Sequence, residues 1–331
     1  MSRRLIATAA LALLAFPAWA ETITINVGGL DKQIYLPAKL AEALGYYTDE
    51  GLNVELEGEA AGVEGADALI AGEAQGVVGF YDHTIDLASK GKHAESIVQF
   101  SRAPGEVELV AARIADQVKR FADLKGRALG VTGLGSSTNF LTQYMAVRSG
   151  LQPGDITSVA VGAGATFLAA MKQGAIDGGM TTEPTVSRAL KTGLARVLID
   201  MRTVEGTRAA LGGTYPAACL YMATDYVRKH PDITQKLANA YVRTLRFIAT
   251  HTGAEIAAKM PADYYAGDKE AYVKALDAGK AMFTPDGVMP EDGPPTVLKV
   301  LSAFSPTLKG KTVDVTQTYT TEFVKMVPPS Q

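Results

Sequence analysis

Three glycines recur at a fixed interval. Gly72, Gly76 and Gly91 are matched by Gly174, Gly178 and Gly193, each 102 residues further on. In "AGEAQGVVGFYDHTIDLASKGK" and "KQGAIDGGMTTEPTVSRALKTGL" the three hold the same places: a helix end, a strand start and the loop after the following helix. A chain that repeats this punctuation in both halves is constrained towards two lobes of related topology rather than one continuous layer.

Between the glycines, short apolar runs alternate with helical patterns. "TITINV" (22–27) alternates with period two, and "VVGF" (77–80), "SIVQF" (96–100) and "VELVAA" (107–112) read as further strands. "LPAKLAEALG" and "GVEGADALIAG" read as helices stopped by Gly45 and Gly72. The alternation restarts at "ALGV" (128–131) and continues through "ITSVAV", "FLAAMKQG", "DGGMT" and "ARVLI". The expected fold class is therefore α/β, with two parallel-rich sheets flanked by helices. "GTYPAACLYMAT" (213–224), a long helical stripe through Leu237, Tyr241, Leu245 and Ile248, and the remaining helices complete the first lobe. The expected division is 21–112 with 214–331 for lobe 1 and 113–213 for lobe 2, with two crossovers forming a hinge.

The N-terminus sets the expected compartment. Arg3 and Arg4 precede an apolar run at 5–16, Pro17 breaks it, and Ala18-Trp19-Ala20 supplies small residues at a cleavage site. Residues 1–20 read as a secretory signal peptide cleaved after Ala20, which places the mature chain in the periplasm. The apolar run is shorter than the ~20 residues a membrane span needs. "SRRLIA" begins like a twin-arginine signal, so the export route stays open between that and the general one. Loss of Arg3 and Arg4 moves the formal charge of −3 to −5. An acidic exported chain has no electrostatic reason to seek nucleic acid or an anionic membrane. Cys219 is the only cysteine, which excludes an intrachain disulfide and a paired-cysteine metal site. It sits in "AACLYMA" and reads as a buried thiol. The spacing from His83 to Asp86 is too sparse for a metal, and no cofactor is expected.

In open α/β sheets ligands bind beyond the carboxyl ends of strands. Six loops qualify: 28–34, 81–84 and 101–105 in the first half, and 132–138, 162–166 and 181–185 in the second. The stretch "GVTGLGSSTNF" (130–140) is the most distinctive of them. As a dinucleotide fingerprint it fails, because Thr138 stands where the third glycine belongs, and no Walker lysine follows. As a nucleophile loop it lacks G-x-S-x-G, and of the four histidines only His83 falls in a cleft loop. A helix start remains. There Ser136 or Ser137 either caps the helix or, with Gly133 and Gly135 admitting a close approach, helps to hold an acid group.

The other polar loop residues carry paired readings. Arg102 either clamps an anion or is a solvated hinge residue. Lys32 and Gln33 lie in the first cleft loop, where long side chains are often solvated. Asp82 and His83 either orient a ligand amine or hydroxyl or cap the next helix. Glu183 either meets an amine or ties the hinge by a salt bridge. Tyr35, Tyr81 and Tyr215 are candidate walls for an organic ligand.

Four segments carry a family resemblance: "LPAKLAEALGYYTDEGLNVEL", "DLKGRALGVTGLGSST", "LAAMKQGAIDGGMTTEPT" and "YPAACLYMATDYVRKHPD". Their order and spacing resemble the periplasmic solute-binding proteins of the nitrate, sulfonate, taurine and thiamine-pyrimidine ABC transporters. The resemblance implies a two-lobe Venus-flytrap fold, a monomer, ligand capture in the cleft and delivery to an inner-membrane permease. It also implies that Gly135, Ser136, Ser137 and Thr138, the loop at 81–84, and Thr182 with Glu183 line the ligand site. The expected function is capture of a small organic anion, a sulfonate or an aromatic or aliphatic carboxylate, with no catalysis. The alternatives are a receptor for a pyrimidine thiamine precursor and an enzyme like the thiamine-pyrimidine synthase of the same superfamily. That synthase carries a cysteine-rich motif and is cytosolic, whereas this chain has one cysteine and an apparent export signal.

Overall fold

Ten strands, among the residues described by the computed structural model (22–152, 154–265 and 267–329), fall into two sheets of five. They are β1 (Thr22–Val27), β2 (Asn53–Gly58), β3 (Gly76–Phe80), β4 (Ala94–Gln99), β5 (Glu106–Ala111), β6 (Ala128–Val131), β7 (Thr157–Ala160), β8 (Gly178–Thr182), β9 (Ala195–Asp200) and β10 (Ala218–Ala223). The first sheet runs β2-β1-β3-β10-β4 and the second β7-β6-β8-β5-β9. The two orders are the same pattern, which is the duplication that the glycine spacing implied.

The repeat extends to backbone conformation. Gly72 and Gly174 end the helices Gly62–Ala71 and Ala165–Gln173 in the left-handed region, at φ 80° and 77°. Each is the position where a side chain would strain the reversal from helix into the following strand.

Both sheets are mixed rather than purely parallel. In each, the fourth strand is antiparallel to both neighbours and comes from the other half of the chain: β10 pairs with β3 and β4, and β5 with β8 and β9. This corrects one expectation. The strand at 106–111, assigned from sequence to the first lobe, belongs to the second sheet. Its apolar pattern marks a strand but carries no information about which sheet it joins. The first crossover therefore lies at 100–105, between β4 and β5, instead of near Arg113. The return crossover falls between β9 and β10, with Gly213 inside it, as expected.

The interior follows from pattern. Ile23, Ile25 and Val27 of β1 are buried, and β3, β5, β8 and β10 are buried along almost their whole length. The helix Pro231–Thr250 begins with a proline at its first turn and buries Leu237, Tyr241, Leu245 and Ile248 against the first sheet's side of the molecule. Cys219 is fully buried on β10, in agreement with its sequence setting. The signal-peptide reading falls on residues outside the described part of the chain. Among the described residues no helix is long and apolar enough to cross a membrane, and no group of His, Cys, Asp and Glu is arranged to hold a metal.

The second sheet is tightest at Gly178-Gly179. A Cβ on Gly179 would lie 2.3 Å from the Gly130 carbonyl oxygen of β6, and one on Gly178 2.5 Å from that of Leu109 on β5. We expect Gly179→Ala to cost about 3 kcal/mol or more, because backbone on a neighbouring strand must shift. Gly72→Ala, with open space around it, should cost only about 1 kcal/mol. Urea unfolding of both variants checks this, and equal losses would show that the strands yield easily.

Candidate functional site: a polar cup between the lobes

The loop 132–136 folds around its own hydroxyls. The Thr132 amide donates to Thr138 Oγ1 at 2.9 Å, and Thr132 Oγ1 donates to Ser136 Oγ at 3.0 Å. Ser136 Oγ donates to the Gly133 carbonyl at 2.7 Å. Gly135, at φ 83°, turns the chain into the helix Ser137–Arg148. A Cβ on Gly133 would stand 3.0 Å from that of Ala61, on the other lobe. The two glycines thus let this loop approach the start of the helix Gly62–Ala71.

Ser137 crosses the cleft. Its hydroxyl donates to Asp82 Oδ1 at 2.8 Å, and the Tyr215 hydroxyl donates to Asp82 Oδ2 at the same distance. Asp82 opens the helix Asp82–Ser89, so one carboxylate sits at two helix starts, where the helix dipoles favour negative charge. It is fully buried. Burial pushes its pKa up, while His83 and the two hydroxyl bonds oppose the shift.

A small void of about 10 Å³, room for about one water, lies beside this bond. The first lobe lines it with Lys32, Tyr35, Gly62 and Phe80. The second contributes Glu106 and Thr182 from facing strands, and the hydroxyls of Thr132, Ser136, Ser137 and Thr138. Tyr35 meets Phe80 edge-on at 5.9 Å between ring centres. Lys32 is buried, and its ammonium donates to the Gly28 carbonyl. Burial lowers its pKa to about 8. Glu106 is 2% exposed and its Oε2 has no hydrogen-bond partner. Burial, then the nearby Asp82 and Glu108, hold this carboxyl well above the usual carboxylate range, against the opposing pull of Lys32. Two residues along the same face of β5, Glu108 is fully buried, accepts from Thr142 Oγ1 at 3.5 Å and leaves Oε1 without a partner. Burial pushes its pKa up to about 8.

An outer pocket of about 150 Å³ continues the void, sharing Ile34 and Thr182 with it. Gln33, Glu183, Arg202 and Met282 are among its walls. Glu183 accepts from Arg202 Nη1 and from the Ser187 amide, both at 2.9 Å, so its carboxylate ties a loop. Arg202 also grips Asp200. The Gln33 amide donates to the Glu183 carbonyl at 3.1 Å, a second bond between the lobes, and Gln33 Nε2 donates to the Tyr272 carbonyl.

The fold thus brings Tyr35, Ser136, Ser137, Thr138 and Thr182 to the inner void and Gln33, Thr182 and Glu183 to the outer pocket. Asp82 and Tyr215 stand behind Ser137, Tyr215 as a fully buried support for the carboxylate rather than a wall. Gly135 shapes the loop. These three line neither space themselves, and neither do three further expected residues. Arg102 is exposed and lies on the crossover 100–105, because β5 joins the other sheet. Tyr81 is buried with its hydroxyl against Thr318, on the far side of its helix start. His83 packs on the Phe140 ring of the opposite lobe, 5.8 Å between ring centres, with Nε2 unpartnered. Sequence reasoning passed over Glu106 and Glu108, and treated Lys32 as a solvated side chain. The signal was present: two carboxylates at i and i+2 inside an otherwise apolar strand put two acids on one buried face.

Comparison with known proteins agrees with this geometry. A family model described as NMT1/THI5 like matches residues 35–254. A solved protein from Bordetella bronchiseptica RB50 is similar at 36% identity over 92% of this chain and 96% of its own, with a TM-score of 0.87. The periplasmic nitrate-binding protein of Synechocystis PCC 6803 shares the fold at 14% identity, covering 92% of this chain and 88% of its own, TM-score 0.75. So does the periplasmic aliphatic sulphonate binding protein of Escherichia coli, at 21% identity, 90% and 92% coverage, TM-score 0.65. No curated protein matches the chain. The architecture is that of the two-lobe periplasmic binding proteins.

The buried acids give stability a pH dependence of definite sign. Glu108 in the fold keeps its proton up to about pH 8, whereas its ordinary value is 4.5. Between these values the folded state binds more protons than the unfolded one, so stability falls as pH rises through the window. Glu106 acts in the same direction. Lys32, lowered from 10.5 to about 8, acts above pH 8 and in the opposite sense. The melting temperature should therefore fall from pH 5 to pH 8, and Glu108→Gln should flatten that slope and gain up to a few kcal/mol at pH 8. Parallel slopes in both proteins would show that Glu108 is ionised in the fold.

Proposed function

Because the chain belongs to the NMT1/THI5-like family, we propose that it is the solute-receptor subunit of an ABC importer, exported to the periplasm, which captures a small organic solute between its lobes and hands it to a membrane permease. The observation that carries this reading is the cup itself. Two bonds join the lobes around it, Ser137 to Asp82 and Gln33 to Glu183, and it keeps polar groups that the protein does not satisfy. Solute entry requires these bonds to part. A solute that touches both lobes then favours the closed state by its differential affinity for that state. The lobes' outer faces in that state are what a permease would read.

A binding role needs no reacting group here. Ser136 spends its proton on Gly133, Ser137 spends its own on Asp82, and Cys219 is sealed in the first sheet. The same contact bears on the organic-anion reading. The helix start expected to hold a ligand's acid group already holds a carboxylate, that of Asp82, and Arg102 stands outside the cup. Lys32, and Ser137 once it parts from Asp82, favour an acid group nonetheless. The Tyr35–Phe80 pair favours the second reading, a flat pyrimidine ring.

A thermal-shift screen of sulfonates, carboxylates, amino acids and aminopyrimidines, followed by small-angle scattering, tests the reading. One class should raise the melting temperature and reduce the radius of gyration. Ser136→Ala with Ser137→Ala should weaken that binding about tenfold or more while costing about 1 kcal/mol of stability. A solute that binds without changing the radius, or a double variant that loses stability alone, sinks the idea of capture between closing lobes.

A further inference from the structure

The inner void brings together one acid and one base that do not neutralise each other. Lys32 comes from the first lobe and Glu106 from the second; both are buried, both line the void, and they form no ion pair. The other charges around the cleft are spent. Asp82 is held by Ser137 and Tyr215, Glu183 by Arg202 and Ser187, and Arg202 by Glu183 and Asp200. Glu106 Oε2 has no partner, and of the three donors on an ammonium Lys32 uses one, on the Gly28 carbonyl. An unpartnered oxygen on a buried carboxyl is costly unless something else supplies the donor.

Resting on the receptor reading, we propose that the inner cup, widened as the lobes part, takes a short amino acid-type zwitterion, its ammonium on Glu106 and its acid group on Lys32 and on the Ser137 hydroxyl once that is freed from Asp82. Lys32 comes from the first lobe and Glu106 with Ser137 from the second, so the acid group is gripped from both lobes and closure is part of recognition. A bare anion would leave Glu106 unpaired, and a bare amine would leave Lys32 so.

The pairing has a proton signature. Burial raises the pKa of Glu106 in the empty cup, and an ammonium beside it lowers it again, so capture favours proton release. The charged groups that bear on this step are Lys32, Asp82 and Glu108, with Asp31 and Glu64 acting on Lys32.

The test is calorimetric titration of the full mature chain with glycine, β-alanine and γ-aminobutyrate, against propionate, n-propylamine and ethanesulfonate. It is run near pH 7 in two buffers of different ionisation enthalpy. One zwitterion should bind at least about tenfold more tightly than either of its single-charge analogues. It should release protons on binding, and Glu106→Gln should remove both the preference and the proton release. Because Glu106→Gln keeps the shape of the side chain, its circular dichroism and melting should confirm that it is folded. Lys32→Met should restore some affinity for n-propylamine relative to β-alanine. Tight binding of propionate or ethanesulfonate that Glu106→Gln leaves unchanged overturns the zwitterion and keeps the receptor. Binding of none of these probes overturns the zwitterion. If native mass spectrometry of protein isolated from periplasm also finds no small molecule retained, the receptor reading falls with it.

Discussion

The carboxylate of Asp82 holds the two halves of this molecule in register. It starts one helix, accepts a hydrogen bond from the start of another across the cleft, and is anchored from behind by Tyr215. Each contact needs the others. Without Tyr215 a buried carboxylate would have one oxygen bare, at a cost that the single Ser137 bond does not offset. Without the lobes closed, Ser137 is withdrawn and water must replace it. The bond is therefore strong enough to define a closed geometry and cheap to exchange for water or a ligand, as a receptor that must release its cargo requires.

The two glycines of the 130–140 stretch take their meaning from that contact. Gly133 and Gly135 bring backbone close to Ala61 and Val63 of the opposite lobe, so the loop's first client is the protein itself. The cup it rims is polar on both sides, but its polarity is unevenly spent. The outer charges of Glu183, Asp200 and Arg202 neutralise one another and stiffen a loop. Lys32 and Glu106 are left for something else. Stability is sacrificed in the cup and recovered in the apolar sheets on either side, a common arrangement where a site must bind.

Much of this was legible in the chain. Period-two runs and glycine stops located most strands, and the 102-residue echo foretold two sheets of one topology because the same turn needs the same left-handed residue in each half. Of the six loops at strand ends, those at 28–34, 101–105, 132–138 and 181–185 line the two spaces, and those at 81–84 and 162–166 line neither. What failed was information that no local pattern carries. "EVELVA" announces a strand, but the partner strands of β5 are set by a crossover that depends on tertiary packing. Arg102 was misplaced for that reason alone. Glu106 and Glu108 were visible as acids in an apolar strand, yet their burial follows from β5 standing between β8 and β9. Tyr81 and Tyr215 sit in loops that reach the cleft, but a loop's position does not say which way a side chain turns.

The exchanged strands have a consequence in time. On a growing chain, β3 and β4 of the first sheet are made early, but they are not neighbours; β10, which must lie between them, arrives more than a hundred residues later. The N-terminal lobe cannot complete its sheet until almost the whole second lobe has emerged, and the second lobe in turn borrows β5 from the segment before it. Long-range pairing of this kind is slow. A chain built this way stays incompletely folded through most of its synthesis, with the first sheet open along one edge, that of β3, until the strand from the other half arrives.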